Sequence, residues 1–152
     1  MKIQLKRTLA GALLLFAASN AAYAEQIKNM TVYKTPWCGC CEVWTKAMQQ
    51  AGFKVEVKNM DDLSLTKRQY GVPAQLEACH TAVLGKYIIE GHVPLQAVEK
   101  LLSEEPNVRG IAVAGMPMGS LGMGYDPEAR YDVISFADSR TDKPVVFYEA
   151  GK

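Results

Sequence analysis

The chain has 152 residues, with 17 basic and 16 acidic side chains and a formal net charge of +1. So even a balance leaves no electrostatic footprint for nucleic acid. The length is that of one ordinary domain, with enough chain to bury a core without help from disulfides.

Lys2, Lys6 and Arg7 precede an apolar run from Leu9 to Ala18 and then Ala22-Tyr23-Ala24. This is the three-part pattern of a cleavable secretory signal, with the cut expected before Glu25. The run is shorter than the roughly 20 residues that cross a bilayer core, so no membrane anchor is expected. Residues 1–24 are read as a signal peptide and 25–152 as a single exported domain, left with 14 basic against 16 acidic side chains.

Met30 to Lys34 is a β-branched and aromatic run stopped by Thr35-Pro36, a strand entering a loop. From Cys41 the spacing turns helical, with Val43, Trp44, Ala47, Met48 and Ala51 on one face and Gly52 placed to end it. Lys54 to Lys58 alternates, as a strand with one buried face does. Asp61 and Asp62 are placed to cap a second helix that runs to about Tyr70, where Gly71 and Pro73 break it. His80 to Leu84 and Lys86 to Ile89 form a hairpin around Gly85. Pro94 opens a helix with Leu95, Val98, Leu101 and Leu102 on one face, closed by Pro106. The order is βαβαββα.

After Ile111 to Ala114, residues 115–127 hold four glycines, two prolines and Met116, Met118 and Met123. A loop of this length is uncommon inside a compact domain and is usually either functional or disordered. Tyr131 to Phe136 and Pro144 to Tyr148 are two closing strands around a polar turn at Asp138 to Lys143.

The four cysteines are Cys38, Cys40, Cys41 and Cys79, three of them within four residues. A structural disulfide framework spreads its cysteines to close long loops, so crowding points to chemistry. Trp37-Cys38-Gly39-Cys40-Cys41 falls where a strand gives way to a helix, and the helix N-terminus favours thiolate there. Thiolate serves both disulfide exchange and metal binding. Cys38 and Cys41 suffice for exchange, with Cys38 the nucleophile and Cys41 the resolving thiol, and a structural Cys38–Cys41 disulfide with two idle thiols is the plainer reading. Cys40 is surplus to both. Adjacent Cys40 and Cys41 diverge by about 100° on a helix, which suits bridging neighbouring ions better than closing on one.

Cys79-His80 enters the hairpin beside the first helix, so Cys79 completes a four-thiolate set and His80 is a candidate imidazole ligand. Met116, Met118 and Met123 add thioethers on a loop able to cover the site. Soft sulfur donors of this kind select Cu(I), whereas a zinc-stabilised module rarely recruits thioether. His92 is read as a cap of the helix that Pro94 opens, with metal ligation the lesser alternative, Met30, Met48 and Met60 as core filler, and Trp37 and Trp44 as packing around the motif.

Thr35-Pro36-Trp37-Cys38-Gly39-Cys40-Cys41, Cys79-His80-Thr81-Ala82-Val83, Glu90-Gly91-His92-Val93-Pro94 and Gly110-Ile111-Ala112-Val113 with Gly115-Met116-Pro117 resemble the CopG-type family linked to bacterial copper resistance. The resemblance runs over residues 30 to about 125. It implies a thioredoxin-like α/β fold, a central mixed sheet flanked by helices with the Met/Gly-rich loop and the C-terminal strands added. It also implies a periplasmic location and a cysteine-bridged Cu(I) cluster on Cys38, Cys40, Cys41 and Cys79. Copper redox conversion and exchange with other periplasmic copper-handling proteins follow from the same resemblance. Ordinary thioredoxins carry proline between the two motif cysteines and a cis-proline facing them. Here Cys40 replaces the first, and Val72-Pro73 lies six residues before Cys79.

Overall fold

In the computed structural model, which describes residues 28–137 and 145–152, the elements follow the expected order. They are β1 (Asn29–Lys34), α1 (Gly39–Gln50), β2 (Lys54–Asn59), α2 (Ser64–Gln69), a 3-10 turn (Ala74–Leu76), β3 (His80–Leu84), β4 (Tyr87–Glu90), α3 (Leu95–Glu104), β5 (Gly110–Ala112), β6 (Tyr131–Phe136) and β7 (Val145–Ala150). The expected signal peptide, 1–24, and the expected turn at 138–143 lie outside the described residues.

The seven strands form one mixed sheet in the order β2-β1-β3-β4-β5-β6-β7. β1 runs parallel to β2 and β4 parallel to β5, while the other neighbours are antiparallel. Strand alternation divides the core between the two faces. Ile89 and Ile111 join Trp44 and Met48 of α1 and Val98 and Leu101 of α3 on one face. Ile88 and Ala112 turn the other way, against Val72, Leu76 and Phe136.

Local chemistry explains most boundaries. Gly52 ends α1 at φ +93°, a left-handed conformation natural to glycine, and its N–H reaches the Gln49 carbonyl at 3.0 Å. Three expectations need correction. The first helix begins at Gly39 with Cys38 at its N-cap, two residues ahead of the apolar periodicity, because glycine and cysteine carry no periodic signal. Asp62 does not occupy the cap of α2, which is Leu63. Its Oδ1 instead accepts from the Ser64 N–H and hydroxyl, at 2.8 and 2.7 Å, and turns the chain into the helix. β2 has no buried face: only Val55 is half-buried, and Val57 is exposed. The strand lies at the sheet edge, where only Val55 packs against the main core and the rest of the strand stays open to solvent.

Candidate metal centre

Cys38 caps the N-terminal end of α1 in extended backbone, and its N–H is held by the Thr35 carbonyl at 3.1 Å. Its side chain is joined to Cys41 in a disulfide. The three-residue separation makes this a poor staple for the unfolded chain, so its weight is chemical. Cys40 is a free thiol whose Sγ lies 3.5 Å from that of Cys38.

Cys79, the other free thiol, arrives from the irregular segment just before β3. Its carbonyl is 3.8 Å from Cys41 Sγ. β3 pairs with β1 so that His80 stands opposite Lys34, the last residue before the motif loop, and this register brings the distant cysteine to the trio. The Sγ atoms of Cys38, Cys40, Cys41 and Cys79 all lie within 4.8 Å of one another. A tetrahedral thiolate site with bonds near 2.3 Å needs sulfurs about 3.8 Å apart, so after reduction of the disulfide these separations suit a single ion as well as a bridged cluster.

Cys79, His80 and His92 form a second convergent group, again within 4.8 Å. His92 Nε2 lies 2.9 Å from Cys79 Sγ, and His80 Nδ1 lies 3.5 Å from the same sulfur. His92 Nδ1 is 2.7 Å from the Leu121 carbonyl. A carbonyl only accepts, so Nδ1 is the protonated nitrogen and Nε2 carries the lone pair in the neutral ring. The Cys79 thiol donates to that lone pair. Losing the thiol proton would free both atoms as ligands.

Burial sets the electrostatics. It pushes the Cys79 thiol up to about 12, with the Cys40 thiol adding to the rise. Burial likewise holds His92 below its ordinary value and His80 well below it, with His92, Lys67 and Lys34 disfavouring the His80 cation further. Both rings are therefore neutral near pH 7, as metal ligation requires. His80 is fully enclosed, its ring tilted at 47° against that of Trp44 with centroids 4.4 Å apart and edge-on to His92 at 5.2 Å. Its Nε2 has no hydrogen-bond partner among the described residues, a polar atom that a ligand would satisfy.

Residues 113–130 contain no helix or strand, and part of this loop lies against the motif. A Cβ on Gly122 would fall 2.6 Å from the Cys40 carbonyl oxygen and 2.9 Å from His92 Nδ1. Only glycine allows this approach. Met116 and Met118 are 54% and 77% exposed, while Met123 is half-buried.

Two aromatic and histidine readings change. Trp44 packs as expected, with Nε1 donating to the Val93 carbonyl at 2.9 Å, but Trp37 is 70% exposed beside the motif. His92 does not cap the following helix: Pro94 holds that position without a side-chain bond. The motif Gly91-His92-Val93-Pro94 carries the one sequence signal that could have found it, since Gly91 at φ +73° turns the ring back toward Cys79. Met30 and Met48 are core residues, and Met60 is half-buried with its sulfur accepting from the Thr66 hydroxyl at 3.3 Å.

A family model described as a protein of unknown function, DUF411, matches residues 76–123, which include Cys79, His80, His92 and the methionine loop. No match is found among curated proteins. Two solved structures titled copper resistance protein CopG, Form 2 and Form 1, are each 36% identical with a TM-score of 0.72. The first covers 80% of this chain and 96% of its own, the second 82% and 98%. Sequence identity and fold agree over nearly the whole of those relatives, and the chain belongs to the CopG family of copper resistance proteins.

Proposed function

We propose that the protein binds copper in the service of copper resistance, holding Cu(I) in a cysteine-bridged, polynuclear site on Cys38, Cys40, Cys41 and Cys79. The observation that carries this is the convergence of four sulfurs from two distant stretches of chain within 4.8 Å. Soft thiolate donors favour Cu(I), and membership of the CopG family points to the same metal. His80 joins as an imidazole donor, and the short Cys79–His92 contact supports His92 as a further one. Met116, Met118 and Met123 act as thioether donors that shield or exchange the metal, since the loop bearing them lies on the motif at Leu121 and Gly122. Bound copper supplies one-electron chemistry between Cu(I) and Cu(II).

In this reading residues 1–24 are removed on export, and 25–152 work in the periplasm as one thioredoxin-like domain beside other copper-handling proteins. The parallel β1-α1-β2 unit, the β3-β4 hairpin and α3 support the thioredoxin-like description. Among the described residues no helix is long and apolar enough to cross a membrane.

The Cys38–Cys41 disulfide favours a second reading, thiol–disulfide exchange with Cys38 as nucleophile. Cys40→Ala separates the two. Anaerobic titration of the reduced protein with Cu(I), followed by thiolate-to-copper ultraviolet absorption, should show saturable binding whose stoichiometry falls in the variant. Retained stoichiometry together with undiminished disulfide exchange would leave exchange as the function. No saturable binding by the unsubstituted protein would end the copper reading.

A further inference from the structure

Behind Cys79 lies a closed polar cluster that the metal centre does not use. Glu90, at the end of β4, is fully buried, and so are Thr81 and all but the edge of Lys67. Glu90 Oε1 accepts from the Lys67 ammonium and from the Ala78 N–H, the latter at 2.7 Å. Its Oε2 accepts from the Thr81 hydroxyl at 2.6 Å, and Lys67 donates to that hydroxyl at 3.2 Å.

An apolar core would hold β3, β4 and α2 together as well, since a buried ion pair is often no more stabilising than hydrophobic groups of the same volume. What the carboxylate adds is directional. Two of its partners, the Ala78 backbone N–H and the Thr81 side-chain hydroxyl, bracket the dipeptide Cys79-His80. Ala78 belongs to the irregular segment between the 3-10 turn and β3, where strand pairing does not hold the chain. Neighbouring geometry serves the same end. Gly91 N–H binds the His80 carbonyl at 3.0 Å, and a Cβ on Gly91 would come within 2.6 Å of the Ala78 Cβ. The glycine lets Ala78 settle against the strand at the point where Glu90 takes its N–H.

We infer that Glu90, held by Lys67 and Thr81, is a positioning residue: its bond to the Ala78 N–H sets Cys79 so that one sulfur faces both the Cys38/Cys40/Cys41 motif and His92. This rests on the copper reading only for its consequence in metal binding. The placement of Cys79 is independent of it and is measured without copper.

With Cys38 and Cys41 both replaced by serine, Cys40 and Cys79 are the remaining thiols. Their disulfide equilibrium against glutathione reads how closely the fold holds them together, as an effective concentration. Two clamp variants are compared in that background, with thermal unfolding measured alongside. Lys67→Met with Thr81→Val and Glu90→Leu replaces the cluster by apolar groups that leave the Ala78 N–H without an acceptor. Glu90→Gln keeps one oxygen to accept from the Ala78 N–H, turns the other acceptor into an amide that can only donate to the Thr81 hydroxyl, and removes the charge that holds Lys67. The triple variant should lower the effective concentration at least tenfold while still unfolding cooperatively, and Glu90→Gln should lower it severalfold. Cu(I) affinity of the same clamp variants with all four cysteines present should fall in the same order, and the thiolate-to-copper absorption should change shape.

An effective concentration within twofold of the parent in Glu90→Gln, and in the triple variant if that folds, overturns the inference. Failure of the copper reading looks different. The protein with its clamp intact would bind no copper, while the clamp variants would still separate Cys40 from Cys79.

Discussion

Replacing Gly122 by alanine tests whether the methionine loop is seated on the metal centre. At φ +93° any residue with a Cβ is strained, which by itself costs about 1–3 kcal/mol. The new methyl would also sit 2.6 Å from the Cys40 carbonyl oxygen and 2.9 Å from His92 Nδ1. Neither neighbour yields easily, since Cys40 belongs to α1 and the His92 ring is packed edge-on to His80. The loop must therefore withdraw, and the 2.7 Å bond from His92 to Leu121 goes with it. Gly124→Ala is the control, because its φ of +73° brings comparable backbone strain while a Cβ there meets nothing within 4 Å.

Both variants should lower the melting temperature of the reduced, metal-free protein, by an amount on the order of 3–15 °C for 1–3 kcal/mol in a domain of this size. Gly122→Ala should lower it further, by about another 1 kcal/mol or more for the lost bond and contact. It alone should shift the His92 ring nitrogens in long-range ¹⁵N–¹H spectra away from the Nδ1–H tautomer. Equal melting temperatures for the two variants, with His92 spectra like those of the parent, would refute the seating of the loop.

Cys79 should alkylate slowly. A thiol pushed from 9.0 up to about 12 holds about a thousandfold less thiolate near pH 8 than an unshifted one. Its reaction with iodoacetamide in the metal-free protein, followed by peptide mass spectrometry, should still be rising about tenfold per pH unit at pH 10. A plateau below that pH would contradict the burial. The neutral imidazoles make a separate prediction. His80 and His92 both titrate below 6.5 in the folded state, so the stability they contribute is complete above that pH. It is lost as the pH falls below 6.5, where the unfolded chain takes up protons first, by up to about 1.4 kcal/mol per pH unit for each ring. Urea unfolding between about pH 7 and pH 5 should show this slope, and His80→Phe should flatten it.

The cysteine motif, the loop and the succession of strands and helices were legible in the sequence because each is a local pattern. Thr35-Pro36 ends a strand, the periodicity from Val43 onward makes a helix, and Gly85 and Gly52 turn the chain where their φ is positive. The same locality explains the errors. Alternation in β2 resembled a half-buried strand because sequence does not say which strand lies at the edge of a sheet. His92 looked like a residue leading into a helix because its partners, Cys79 and Leu121, lie 13 and 29 positions away.

The spacing of its residues determined that this chain would carry thiols at the start of a helix and thioethers on an open loop. The order of its elements also led to the expectation that Cys79 would join those thiols, but only the tertiary structure decided how closely the four sulfurs approach, that His92 would present Nε2 to Cys79, and that Lys67 and Glu90 would meet behind it. Those contacts follow from the register of β3 against β1 and β4. Register is chosen by how the whole sheet buries its two faces, and no short window of sequence contains that information.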